Sequence, residues 1–183
     1  YPALVLTALA VGAAAARRSQ ASLALSARQR WALGAGAFCG AMLGAKLPFA
    51  LTAPGGPLGA AAWLSSGKTI VAGLAGGYLG VEAAKRLAGV TAKTGDSFAV
   101  PAALSVGLGR LSCFADGCCY GTPTTLRWGV DFGDGLARHP AQLYESAFHL
   151  AAAAGLARLR AVGALRLQLM KLYIIAYAAF RFL

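Results

Sequence analysis

The chain has 183 residues, of which 58% are hydrophobic and only 13% charged, with a mean hydropathy of +0.61. A soluble domain carries about 25% charged residues, so this composition excludes an ordinary water-soluble globule. The formal net charge of +11 would suggest a nucleic-acid partner on a soluble chain, but the placement of the basic residues excludes that reading here.

Residues 2–16, PALVLTALAVGAAAA, carry no charge. The run has no charged start and no small-residue cleavage site, so it is not read as a signal peptide; it is expected to continue beyond Tyr1. Between Trp31 and Leu51 the only charge is Lys46, and residues 69–81, 97–108 and 146–156 are uncharged. A helix needs about 20 mostly apolar residues to cross a bilayer, and several of these runs reach that length with their flanks. The expectation is an all-α, polytopic integral membrane protein. It forms a single transmembrane domain over 1–183, with about six transmembrane helices near 2–16, 31–51, 68–88, 97–112, 143–159 and 169–183. The last is expected to continue beyond Leu183.

The charges alternate loop by loop. Arg17, Arg18, Arg28 and Arg30 lie between the first two spans, Lys85, Arg86 and Lys93 between the third and fourth, and Arg158, Arg160, Arg166 and Lys171 between the last two. The intervening loops differ: 52–66 has no charge, and 113–142 sets Arg127 and Arg138 against Asp116, Asp131 and Asp134. Cytoplasmic loops are the basic ones, which predicts the N-terminus, 52–66 and 113–142 on the outer side.

Gly36, Gly40 and Gly44 recur every four residues in the second span, and Gly73 with Gly77 and Gly76 with Gly80 do so in the third. Small residues at that spacing let helix backbones approach closely in lipid; a glycine-lined groove for a lipid tail is the alternative. The loop TAPGGPLGAAAWLSSG ends near Trp63, a residue suited to the membrane interface. SSGKT at 65–69 resembles the end of a phosphate-binding loop, but Ala62 stands where that motif needs glycine. Lys68 there either snorkels to the headgroups or holds a lipid phosphate.

The densest chemistry is GRLSCFADGCCYG, 109–121. An arginine near membrane depth usually faces a cavity or a partner, and the planar fork of Arg110 suits phosphate. Arg181, in YAAFRFL, lies toward the same outer side in this topology, so the two suggest an anion site. Cys113, Cys118 and Cys119 admit three readings: a metal site with His139 as fourth ligand, a disulfide on a face outside the reducing cytosol, or small residues lining a pocket. Cys39 reads as an apolar filler. In RHPAQLYES, His139 sits in the polar outer loop, where a general base at neutral pH is useful. Gln142, Tyr144 and Glu145 open the next helix, and Glu145 shares a face with His149, which reads as an interhelical hydrogen-bonding residue.

Taken together, these residues resemble the prolipoprotein diacylglyceryl transferase family. Its Gly-Arg-Ile-Gly-Asn-Phe signature is similar to GRLSCFADGCCYG. GAKLPF at 44–49, GKTIVAGLAGG at 67–77, GDSFAVPAALSVGLGR at 95–110, RHPAQLYE at 138–145 and YAAFRF at 177–182 match further elements in order, over roughly 34–183. The resemblance implies a multi-pass enzyme of the bacterial inner membrane with its site toward the outer face. Such an enzyme moves the diacylglyceryl group of phosphatidylglycerol to the lipobox cysteine of a preprolipoprotein signal peptide, forming a thioether and releasing glycerol phosphate, without a metal or other cofactor. Membrane lipids are its surroundings and nucleic acid has no part. On this resemblance Arg110, Arg181 and His139 are the catalytic candidates, and Lys68, Cys113, Asp116, Gln142, Tyr144 and Glu145 line the substrate site. Several positions depart from the family pattern. Val71 stands at a family histidine, Cys113 and Asp116 at asparagines and Cys118 at a glutamate. These substitutions raise two alternatives: the same lipid site with a different acceptor, or a non-catalytic lipid-binding or transport protein.

Overall fold

The computed structural model describes residues 2–52, 59, 63 and 69–182. Lys68 and most of the loop expected at 52–67 lie outside the described residues; within it, Trp63 is helical and 39% exposed. The fold is mostly helical. The described elements are α1 (Pro2–Gln20), α2 (Ala27–Thr52), α3 (Ile70–Leu87), α4 (Gly95–Ala115), β1 (Val130–Asp131), β2 (Ala137–Arg138), α5 (Ala141–Ala161) and α6 (Leu169–Arg181). Each apolar run has become a helix. Two of them, Ala27–Thr52 and Gly95–Ala115, are long and apolar enough to cross a membrane.

The chain divides into two compact units, 1–22 with 94–173 and 23–93 with 174–183. In the first unit, α1 and α5 both pack on α4. Polar side chains tie the helix ends. Arg160 Nη2 donates to the Ser19 carbonyl at 2.8 Å, satisfying an orphan acceptor in the last turn of α1. The Asp96 carboxylate accepts the backbone N–H groups of Leu167 and Leu169, placing a negative charge at the N-terminus of α6. Residues 113–115, expected in the outer loop, instead complete α4. Beyond them β1 and β2 pair antiparallel, Val130 opposite Arg138. Their turn is held by Asp131 Oδ1, which accepts from Gly133 N at 2.8 Å and Gly135 N at 3.1 Å.

In the second unit, α2 packs along α3. Ser26 and Gln29 form a reciprocal cap: Gln29 N donates to Ser26 Oγ at 3.2 Å, and Ser26 N to Gln29 Oε1 at 3.0 Å, so two otherwise orphaned donors are paired. The four-residue glycine spacing produces close backbone approach. A Cβ on Gly44 would lie 2.8 Å from Gly76 Cα, and one on Gly40 would lie 2.9 Å from Gly80 Cα. Glycine is therefore a packing requirement along this seam. The other face of α2 is apolar and open, with Trp31, Phe38, Met42 and Phe49 all exposed.

Candidate active site

The first unit holds a buried polar stripe. On α5, Gln142, Glu145, Ser146 and His149 are all buried, and their spacing puts them on one helical face. That face meets α4 at Gly107. A Cβ there would sit 3.2 Å from His149 Cβ and from the Leu150 side chain, so the missing side chain lets the helices close. Ser146 Oγ donates to the buried Gly107 carbonyl at 2.9 Å.

One turn further along α4, Arg110 Nε lies 2.9 Å from Glu145 Oε2, with side-chain exposures of 12% and 3%. Two charges this far out of water are held only when paired. At the other end of the stripe, Tyr173 Oη and His149 Nδ1 are 2.8 Å apart, the interhelical hydrogen bond expected for that histidine. Ser112 Oγ and Gln142 Oε1 are buried with no hydrogen-bond partner among the described residues. Most buried polar atoms have a partner, so this face of the α4–α5 interface has hydrogen-bonding capacity to offer a ligand.

The cysteines converge just beyond. Helix α4 stops in a left-handed cap: Gly117 has φ +66°, a conformation glycine enters without a Cβ clash. Cys118 N donates to the Cys113 carbonyl at 3.1 Å and Gly117 N to the Phe114 carbonyl at 3.1 Å, the double bond of a Schellman motif. The chain thereby folds back, and the Sγ atoms of Cys113, Cys118 and Cys119 come within 4.8 Å of one another as unbonded thiols. Gln142 Nε2 donates to the Cys118 carbonyl at 2.6 Å, fastening this turn to α5. Partial burial first, and then the Cys119 and Cys113 sulfurs crowded against it, which disfavour a thiolate beside them, push the Cys118 thiol up to about 12. In the reduced protein, site-resolved alkylation of Cys118 by iodoacetamide should therefore keep accelerating with pH well past the ordinary thiol value of about 8.5. A rate that levels off near that ordinary value would contradict the arrangement.

His139 belongs to a separate cluster beside the hairpin. Trp128 Nε1 donates to Tyr144 Oη at 2.8 Å, and Tyr144 Oη lies 3.2 Å from His139 Nδ1. The phenol accepts from the indole and can either donate to Nδ1 or accept from it, so both neutral tautomers of His139 fit this contact. The main chain of His139 is held on both sides: Gly121 N donates to the His139 carbonyl at 2.9 Å, and His139 N to the Thr122 carbonyl at 3.1 Å. Alongside, Arg138 Nε donates to Asp134 Oδ2 at 2.7 Å, which holds that carboxyl below its usual range. The Arg138 guanidinium also lies 4.9 Å from the centre of the Tyr120 ring.

The structure thus brings Arg110 together with Glu145, and Gln142 together with the cysteine turn. It sets His139 and Tyr144 in the hairpin cluster, with Tyr144 exposed where Glu145 is buried. Asp116 is exposed at the helix cap, and Arg181 is exposed at the end of α6 in the second unit. Ser112, Ser146 and Tyr173 were absent from the sequence reading. Ser146 carried a usable signal, since it follows Gln142 and Glu145 on the same helical face. The second unit also holds an open groove of about 830 Å³ between α2 and α3, lined by Gly36, Cys39, Gly40 and Leu43 and bordered by Arg28 and Gln29.

These features define a mostly helical protein with a polar, charge-bearing seam between apolar helices. The family model described as prolipoprotein diacylglyceryl transferase matches residues 1–183, and the chain belongs to that family. Three relatives, each named phosphatidylglycerol–prolipoprotein diacylglyceryl transferase, are similar over shorter stretches. The Clostridium tetani protein is 46% identical over 52 residues, 25% of this chain and 21% of the relative. The Geobacter sulfurreducens protein is 47% identical over 53 residues, 28% and 20% respectively. The Bordetella parapertussis protein is 38% identical over 88 residues, 44% and 32%. The chain matches about a fifth to a third of the length of these curated relatives. No solved structure matches it.

Proposed function

We propose that this protein is a multi-pass enzyme of the bacterial inner membrane that transfers the diacylglyceryl group of phosphatidylglycerol to the lipobox cysteine of a preprolipoprotein. The observation that carries this reading is the buried Arg110–Glu145 pair. It joins the two segments, GRLSCF and RHPAQLYE, that bear the family resemblance. All six helices cross the bilayer in this reading, with the cysteine turn and the hairpin at the outer face. The open apolar face of α2 supports it, because such a surface is unfavourable in water.

The chemistry is a displacement at carbon. The acceptor thiol loses its proton, and the thiolate sulfur forms a bond to the glyceryl carbon that carries the phosphate. The carbon–oxygen bond breaks, and its electron pair leaves on the phosphate oxygen as glycerol phosphate. Negative charge develops on that oxygen, and a preorganised guanidinium in a water-poor site stabilises it. Arg110, held by Glu145, is the group for this role, and Arg181 is the second arginine of the reading. His139 is the candidate to receive the thiol proton. With Nδ1 donating to the Tyr144 oxygen, Nε2 is the basic nitrogen that would take it. Gln142, Tyr144, Cys113, Asp116 and Lys68 complete the proposed substrate site.

The test is direct. The full-length protein in proteoliposomes containing phosphatidylglycerol is incubated with a lipobox peptide, and the peptide is weighed. A gain of one diacylglyceryl group with release of glycerol phosphate is the expected result. In the same assay Arg110→Ala should lower the rate by about 100- to 1,000-fold, the usual cost of losing one preorganised donor to a developing oxyanion. An unmodified peptide, alongside an active related transferase, would overturn the assignment. A second reading keeps the lipid site and changes the acceptor. Val71, Cys113 and Cys118, which replace polar residues of the family pattern, favour it, and phosphatidylglycerol consumption without peptide modification would establish it. A purely lipid-binding role predicts neither.

A further inference from the structure

We infer that Cys113, Cys118 and Cys119 form a coordination site for a soft d10 cation, Cu(I) or Zn(II), at the C-terminal cap of α4. The inference stands on the geometry of the thiols and does not depend on the transferase reading.

Three sulfurs around one such ion, each at about 2.3 Å from it, lie roughly 3.8–4.0 Å apart. Here the Cys118 and Cys119 sulfurs are 3.6 Å apart and the whole set falls within 4.8 Å. Side-chain rotations that move the sulfurs by up to about 1 Å therefore close the set on one ion. The backbone holds this arrangement ready. The Schellman turn at Gly117 fixes Cys118 against Cys113, and Gln142 fastens the same turn from α5. Cys119 adopts φ +62°, a left-handed conformation uncommon for a residue with a side chain; it carries the chain onward while its thiol faces back toward Cys118.

One of the three possible disulfides is strained. Adjacent residues have Cα atoms about 3.8 Å apart across a trans peptide, below the roughly 4.4–6.8 Å that disulfides span, which disfavours a Cys118–Cys119 bond. Thiolates select soft ions such as Cu(I) and Zn(II) over hard ones. Three ligands complete a trigonal Cu(I) site, whereas Zn(II) would add a water as its fourth. Cys119 is exposed and the other two half-buried, which leaves a path of entry. Each thiol that ligates releases its proton to solvent. Arg110 lies three residues before Cys113 on α4, on the same face, and its positive charge offsets part of the thiolate charge. The inference also gives a physical reason for cysteine at positions 113 and 118.

The test uses the full-length, reduced protein in detergent. Cu(I) is titrated against a chromophoric Cu(I) chelator and, separately, Zn(II) against a Zn(II) chelator, and X-ray absorption then counts the ligands. One equivalent of one ion should bind, with a shell of about three sulfurs near 2.3 Å. Cys113→Ser and Cys118→Ser should each weaken binding by more than the roughly 10- to 100-fold that a supporting residue costs. Cys39→Ser, in the second unit, should leave binding unchanged. The two titrations decide which ion the site prefers. A reduced, folded protein that binds neither ion would overturn the inference, as would a nitrogen- or oxygen-dominated shell. The shell measurement is made on the unmodified chain, so the inference stays testable even if a cysteine variant fails to fold.

Discussion

Glu145→Ala is expected to destabilise the protein by about 3–5 kcal/mol, the usual cost of removing one partner from a buried ion pair. The side chains are 3% and 12% exposed, so solvent screening gives little relief. The variant leaves the Arg110 charge in the α4–α5 seam without its carboxylate. Removing both charges should be far milder, because a buried pair replaced by apolar groups of similar volume is often neutral. Denaturant unfolding in detergent of Glu145→Ala, Arg110→Met and the double variant closes a mutant cycle. Additive losses would show that the two residues do not act as a pair. The same set separates stability from chemistry. The double variant should be folded and inactive if Arg110 serves the leaving phosphate.

Gly40→Leu should be similarly damaging, for a steric reason. Overpacking usually costs about 1–3 kcal/mol, but that range assumes that side chains can yield. Here the first added atom meets main chain: Gly80 Cα at 2.9 Å, with the Gly76 carbonyl oxygen closer still. The helices must separate along the seam, and a loss of about 3 kcal/mol or more is expected. Gly34 is the internal control. It lies on the same helix, and a Cβ there has no heavy atom within 4 Å, so Gly34→Leu should be neutral or slightly stabilising, by up to about 1 kcal/mol. Thermal unfolding of both variants checks the contrast; equal effects would mean that the seam is not packed as described.

The helices were legible in the sequence because charge is almost absent from the runs that form them, and the basic clusters fall at their ends. The glycine seam was legible for the same kind of reason, since a four-residue spacing has one geometric meaning on a helix. The stretch after Arg110 was not. Its polar composition read as loop, while the three residues 113–115 continue α4 and the strands of the hairpin are too short to show alternation. The cysteine convergence turns on the backbone of Gly117. Ala-Asp-Gly after an apolar run is a helix-stop signal, yet sequence spacing alone favoured a disulfide or packing over a metal and did not bring the three thiols together. The pairing of Arg110 with Glu145 is a tertiary fact. Thirty-five positions separate the residues, and nothing local to either names the other.

The glycine seam also carries a problem of alignment. Gly36, Gly40 and Gly44 face Gly76 and Gly80 in evenly spaced notches. A slide of four residues, about 6 Å along a helix, would set notch against notch again. Such a ladder is nearly blind to its own offset. The offset must be indexed from its ends, and two contacts there do so. Gln29 Nε2 donates to the Ala88 carbonyl at 3.3 Å at one end, and Thr69 N to the Ala45 carbonyl at 3.0 Å at the other. Cutting these two pins would leave a pair of helices still tightly joined but free to choose their rung.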